Sequence, residues 1–343
     1  MEISPENYHS HLLERVLDLL WSQWTALGTY TSSPPYTSAV IDPEALVCTT
    51  AWFSRYSPRL LDEAMDWLCA NDSLVSIDRL KSIAGLLSSE TRAVIGAILD
   101  YLWEVQGKTK FKAKSSRWKK ERSNRKEVLF RSWPALAQPG GSNSDEVFLR
   151  WGFERGPVML RGMSSGPDTD NVANLRFVLR DLFGLGVRAE VATYLITIGR
   201  GNSSQVARAV NQNQRAVYAV LDDFARGGFA SKRESGREIV FTADKTRWSC
   251  FVELKGEARF VQWVHVFSAL QEILVDRIEN EKAYGSLYLM SSRLREISPG
   301  VTRKLANAGT APEVPDPQKH PGEEFNPSFM GYIDTVVDEL FHG

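Results

Sequence analysis

Apolar side chains recur three and four residues apart through most of the chain, the period of an amphipathic helix. In LLERVLDLLWSQW (12–24) this predicts a first helix, which GTYTSSPPYTS breaks with Gly28, Pro34 and Pro35. Asp42 followed by Pro43 predicts a helix start: the carboxylate can accept from free first-turn amides, and proline loses nothing at the first helical position. Helices are expected in series over 43–55, 58–70, 77–87 and 89–105. Between 127 and 170 the period fades. Pro134, Pro139, Gly140, Gly141 and Gly166 mark loops there, and EVFLRWGF (146–153) and PVMLRG (157–162) predict short strands.

The helical period returns in NVANLRFVLRDLF (171–183), with Leu175, Val178, Leu179 and Leu182 on one face, and Gly184 and Gly186 end it. RAEVATYLITIG (188–199) predicts a helix burying Val191, Tyr194, Leu195 and Ile198. Ser203 or Ser204 is placed to cap a short helix reaching Val210; the chain then turns at Asn211 and Gln212. A longer helix over 213–226 buries Ala216, Val217, Val220, Leu221 and Phe224, and Gly227 and Gly228 stop it. FASKR, the turn ESGR and EIVFTA read as a β-hairpin with Gly236 at its tip. Farther on, 257–279 predicts a long helix whose apolar face (Phe260, Trp263, Val264, Phe267, Leu270, Ile273, Leu274) is either a dimer seam or a roof over the preceding unit. After Pro299 the chain is expected to loosen until MGYIDTVVDELF (330–341), which docks through Ile333, Val336, Val337 and Leu340.

The pattern therefore predicts a mainly α, multi-domain protein with a small β component. Its segments are a helical domain (1–106), a basic linker (107–126), a mixed connection (127–170), a helices-plus-hairpin unit (171–250) and a C-terminal helical region (251–343). Across 343 residues, 43% hydrophobic, the formal net charge is −1, so any polyanionic partner must be met by a local patch. Cys48, Cys69 and Cys250 lack metal or redox spacing and do not pair with the five histidines; no metal, cofactor or disulfide is expected. The first residues lack a signal-peptide pattern and no apolar run is long enough to span a bilayer, which predicts a cytoplasmic protein without membrane association.

Two stretches carry chemistry suited to nucleic acid. Residues 107–126 hold ten Lys or Arg against Glu121 alone, and Lys112, Lys114, Arg117, Lys119 and Lys120 are candidates for phosphate contact. Phe111 and Trp118 could stack on bases or anchor the segment, and a solvated linker is the other reading of the whole run. At the start of the 213–226 helix stand Gln212, Asn213, Gln214 and Arg215. Asn and Gln can pair bidentately with adenine and Arg with guanine, and Tyr218 follows one turn later. Ser203, Ser204, Arg208, Lys232, Arg233 and Arg237 are candidates to position the unit on phosphates, while Asp222 and Asp223 are expected on the flank away from them. From 188 to 247 there are ten basic residues against six acidic ones.

Residues 76–103 also read as helix, turn, helix: a second reading unit or an ordinary helical hairpin. No nucleotide-binding, metalloprotease or nucleophile-elbow motif occurs. The carboxylate pairs Asp42/Glu44 and Glu63/Asp66 are better explained as helix caps and solvated faces, so no catalytic residue is assigned and no enzyme is expected.

The helix, short helix, turn, helix and basic hairpin together resemble the winged helix-turn-helix domains of bacterial transcriptional regulators. Ala207, Val217 and Leu221 match the positions that lock the two helices together, GGFASKRESGREIVF matches the wing, and Asn211 departs from the glycine common at the turn. The likeness covers about 60 of the 343 residues. It implies double-stranded DNA as partner, a repressor's role and homodimerisation. More loosely, the helical N-terminal part, FGLGVRAEV and the hairpin unit look like bacterial proteins encoded beside nucleotidyltransferase-type toxins, which implies an antitoxin with a toxin as protein partner. A scaffold that binds a protein through the winged unit and the C-terminal helix is the alternative from another class.

Overall fold

The computed structural model describes residues 7–112, 114, 118, 126–132, 136–137, 144–236, 238–253, 256–310 and 312–342. It is mainly helical with small sheets of two and three strands. Helices α1 (Tyr8–Ala26), α2 (Pro43–Phe53), α3 (Pro58–Asn71), α4 (Ile77–Ala84) and α5 (Ser89–Glu104) form where the periodicity places them. Asp42 caps α2 by accepting from Ala45 N at 3.1 Å, and Ser88 caps α5 by accepting from Thr91 N at 3.2 Å. Helix α5 is the spine of the body, buried on every side from Ala93 to Leu102. Gly96 makes this packing possible, since a Cβ there would lie 2.3 Å from the Trp151 indole, whose Nε1 donates to Asp100 at 2.9 Å. From Ala93 to Leu102 α5 has no free face, so residues 76–103 pack as a helical hairpin of the core.

The basic run begins against this body. Phe111 and Trp118 are buried, so they are anchors and not stacking platforms. Lys108 pairs with Asp72 at 3.1 Å, Lys112 lies 5.9 Å from the Trp103 ring and Lys114 is exposed; Arg117, Lys119 and Lys120 lie outside the described residues. Strand β1 (Glu127–Val128) is followed by β2 (Arg131–Ser132) and β3 (Leu136–Ala137), which pair antiparallel. The strand expected over 146–153 is mostly helix, α6 (Glu146–Arg150), because Asp145 accepts from Val147 N and Phe148 N, both at 3.0 Å, and so starts a helical turn. Only β4 (Phe153–Glu154) is extended, parallel to β1.

Residues 157–162 form no strand either. They run as a strap along α3: Asp62 accepts from Met159 N at 3.1 Å, Asp66 accepts from Gly162 N at 2.6 Å and from Ser164 N at 3.2 Å, and Glu63 pairs with Arg161. Glu63 and Asp66 are thus buried beneath the strap rather than solvated.

Next come α7 (Leu175–Phe183), α8 (Val187–Ile198), β5 (Arg200–Asn202), α9 (Ser203–Val210), α10 (Gln214–Arg226), β6 (Ala230–Ser235), β7 (Glu238–Ala243) and α11 (Lys245–Phe251), then α12 (Trp263–Glu279), α13 (Leu287–Ala308) and α14 (Phe325–His342). Helix α13 runs through Pro299, where the chain was expected to loosen. Proline has no N–H for the Arg295 carbonyl, and Ser298 Oγ donates to that oxygen instead, at 3.2 Å. Val301 and Leu305 beyond the proline are fully buried, which holds the second half in place.

Two cores result. The larger joins α1 to α5 with α12 to α14, so the N-terminal and C-terminal helical segments form one body. Trp263, Phe267, Leu270 and Ile273 of α12 lie inside it and are not free to form a dimer seam; of the expected face only Phe260, ahead of the helix, packs on the smaller core, against Tyr194. The smaller core gathers Leu179, Val191, Leu195, Val206, Val217, Leu221, Phe241 and Trp248. Ile198, expected in that core, is exposed, because α8 ends there and Gly199 turns left-handed (φ 86°).

Candidate nucleic-acid interface

The described candidate residues beyond the basic run sit on a small unit ordered helix α8, strand β5, helices α9 and α10, strands β6 and β7. The sheet is antiparallel in the order β5-β7-β6, with Arg200 opposite Thr242, Asn202 opposite Val240 and Arg233 opposite Val240. Strand β5 has no precedent in the sequence reading, since three residues, RGN, show no apolar alternation. Its signal is steric: a Cβ on Gly201 would meet Tyr194 Oη and Val206 at 3.1 Å. The sheet presents Arg200, Arg233, Val240 and Thr242 on one face and Lys232 and Phe241 on the other, toward α10.

Helix α9 is capped by Asn202, not by Ser203 or Ser204. Asn202 Oδ1 accepts from Gln205 N at 2.8 Å and Gln205 Oε1 accepts from Asn202 N at 3.0 Å, a reciprocal capping box. Both serines, half-buried, follow this cap, and Ser203 Oγ accepts from Gln214 Nε2 at 3.2 Å. At the other end Asn211 is left-handed (φ 53°, ψ 49°), the only described non-glycine residue with positive φ. Asparagine therefore does here what glycine does in the resembled motif.

The amide cluster divides its labour. Asn213 caps α10 through Oδ1, which accepts from Arg215 N at 2.9 Å and Ala216 N at 3.3 Å; the carbonyl needed for a bidentate adenine contact is thereby engaged. Gln212 is half-buried and its N–H donates to Ala207 O at 3.0 Å. Arg215 is exposed and bonds to no described side chain.

Tyr218 leans its ring edge on Phe241, with centroids 5.9 Å apart, and its hydroxyl accepts from Lys232 Nζ at 3.1 Å. Lys232 Nζ also reaches Asp222 at 2.6 Å. That hydrogen bond holds the Asp222 carboxyl below its ordinary range and the lysine above its own. Asp222 therefore faces the hairpin instead of the distant flank, and it neutralises one of the predicted phosphate contacts. Asp223 pairs with Arg188 at 2.8 Å and with Arg226.

A groove of about 1710 Å³ opens beside this unit. Arg200, Arg208, Gln212, Asn213, Gln214 and Arg233 line one side, and Asp78 and Ser82 of α4 with His265 and Asn307 line the other. Burial and nearby Lys304 push His265 below its ordinary value. Arg200, Arg208 and Arg233 are exposed and, like Arg215, pair with no described carboxylate. Arg237 lies outside the described residues.

Behind the groove lies a site that the sequence reading missed. Asp42, Glu44, Arg79, Arg176, Arg180 and Glu190 are all buried and form one ionic cluster across α2, α4, α7 and α8. Arg180 Nη2 lies 2.8 Å from Glu44 and 2.6 Å from Glu190, Arg79 grips Asp42 with both Nη atoms, and Arg176 bonds Glu190. Burial alone would raise the Asp42 and Glu190 carboxyls, but the surrounding guanidiniums outweigh it and hold both well below the usual carboxylate range. Asp42 is the helix cap it was expected to be, yet neither it nor Glu44 is solvated. The available signal was in LRFVLRDLF, where Arg176 and Arg180 interrupt a face that otherwise packs inward.

Compared with protein-family models, curated proteins and solved structures, the chain matches none. Among the described residues no helix is long and apolar enough to cross a membrane.

Proposed function

We propose that this protein binds double-stranded DNA as a transcriptional regulator in the cytoplasm, using the α9–turn–α10 unit and the β6–β7 hairpin in the manner of a winged helix-turn-helix repressor. The observation that carries the reading is the set of exposed guanidiniums on Arg200, Arg208, Arg215 and Arg233, which pair with no described carboxylate and are grouped at one end of α10 and along the adjoining groove. Where the other described arginines are largely paired, charges left without a described partner at one surface suit an anionic ligand that supplies the counter-charges. Arg215, at the exposed start of α10, is placed to meet a base edge in the major groove, and Gln214 can join it by releasing Ser203. Arg208 and Arg233 would lie on phosphates, against the α9 side of the groove, since Asp78 across from them repels a phosphate chain.

Selection from a random duplex library followed by fluorescence anisotropy tests this. A selected duplex is expected to bind, and Arg215→Ala to weaken it by 1–3 kcal/mol, about 5- to 150-fold, while leaving a scrambled duplex within about threefold. Failure of the wild type to retain any duplex at low salt would remove the reading.

A second reading, a protein-partner module of the antitoxin or scaffold kind, is favoured by a different observation. Phe251 stacks on Phe183 at 5.6 Å and is exposed together with Leu182 and Leu185, an apolar surface on the same unit. A chain that binds no duplex but co-purifies stoichiometrically with a protein, and loses it on Leu182→Ser with Phe251→Ser, would make this the better account.

A further inference from the structure

One member of the buried ionic cluster reaches beyond it to the reading end of the molecule. Arg79 belongs to α4 of the helical body, and its Nε donates to Val210 O at 3.0 Å. Val210 is the last residue of α9, and a carbonyl in a final helical turn has no partner within its own helix. The next residue is the left-handed Asn211, and α10 begins three residues after that. Arg79 cannot follow the turn if the turn moves, because its two Nη atoms are held by Asp42 and by Glu44, the latter at 2.6 Å. Glu44 and Asp42 are in turn fixed at the start of α2, where Glu44 also accepts from Ser76 N at 2.6 Å.

From this geometry we propose that Arg79 is a positioning residue for α10: it pins the carbonyl at which the chain changes direction, so the helical body sets where Gln212 to Arg215 point. The inference rests on the duplex reading above for its functional meaning. Burying this many charges is costly, and apolar residues of similar volume would often serve stability as well; what a fixed ionic lattice adds is a defined geometry. FGLGVRAEV gains a role by the same argument. Gly184 (φ 79°) lets the chain leave α7 and re-enter as α8, which brings Glu190 against Arg176 and Arg180.

Arg79→Ala would strand buried carboxylates, so the variant of choice is Arg79→Met with Asp42→Asn. The pair removes one charge of each sign and keeps an acceptor to cap α2. In the free full-length protein, amide hydrogen exchange at Gln212 and Ala216 is expected to rise at least about tenfold over wild type, with α5 amides unchanged. Preference for the selected over the scrambled duplex is expected to fall at least about tenfold, with scrambled-duplex affinity within about threefold. Unchanged exchange at the turn overturns the proposal, as does equal loss on both duplexes. A wild type that binds no duplex removes the duplex reading alone, and the exchange measurement still decides whether Arg79 pins the turn. Should the double variant not fold, the wild type carries the test: a pinned turn requires the Gln212 amide to exchange as slowly as those of α8, and exchange as fast as the Gly236 amide at the hairpin tip sinks the idea.

Discussion

Arginine is used in two opposite ways in this molecule. In the cluster of Arg79, Arg176 and Arg180, every guanidinium is buried and bonded to carboxylates. Around α10, Arg200, Arg208, Arg215 and Arg233 are exposed and unclaimed by any described side chain. The side chain is the same; the difference lies in what is already spent. A guanidinium locked by two acids defines a shape and has nothing left for a ligand, whereas a free one contributes little to the fold and keeps its five donors for a partner. Lys232 falls between the two classes, exposed yet claimed by Asp222, and so is a weaker candidate for phosphate than its position in the hairpin suggests.

This contrast can be broken in several ways. The largest effect is expected from a single loss inside the cluster. Arg180→Met leaves Glu44 and Glu190 short of a counter-charge and should cost about 3–5 kcal/mol in urea unfolding; a cost near that of a surface substitution would mean the cluster is not what ties α2 and α8 together. Acid should act on the same site. Asp42 and Glu190 have folded-state pKa values below their unfolded ones, so their stabilisation is complete above about pH 4.3 and is lost as pH falls through the depressed folded values. A melting temperature that held steady from pH 5 to pH 2 would contradict this.

Smaller effects sharpen the other side of the contrast. Asn213→Ala removes a helix cap and should cost about 1 kcal/mol, whereas Arg215→Ala, two residues on, should change stability by no more than about 0.5 kcal/mol. If both lower stability equally, Arg215 is not free. The smallest change is expected in salt dependence: Arg208→Ala and Arg233→Ala should each reduce the slope of log affinity against log salt by about 1 for any duplex sequence.

Much of the architecture was legible in the pattern of side chains. The helices from α2 to α5 and the β6–β7 hairpin fall within a few residues of their expected limits, because caps, glycines and apolar period agree there. The readings that failed did so where a polar group, distant or adjacent, overrode the apolar pattern. The apolar stretch at 157–162 is not a strand because carboxylates of α3, nearly a hundred residues earlier, take its amides. Helix α13 outlasts Pro299 because a neighbouring serine supplies the missing donor. At the candidate interface, Arg215 and Arg208 could be picked out from sequence, but which amides were committed to capping depended on turn geometry. The ionic cluster draws on residues 42 to 190, and no local window contains it.

The pairing of α1 with α14 has a consequence for how the chain comes together. Tyr8 Oη donates to Met330 O at 3.1 Å and Arg15 pairs with Asp334 at 3.3 Å, so the first helix finds its neighbour more than three hundred residues downstream. During synthesis α1 must wait for α14, while the smaller core, drawn from Val40 and residues 175–260, has all its members much earlier. The α8–β7 unit can thus mature before the helical body is complete.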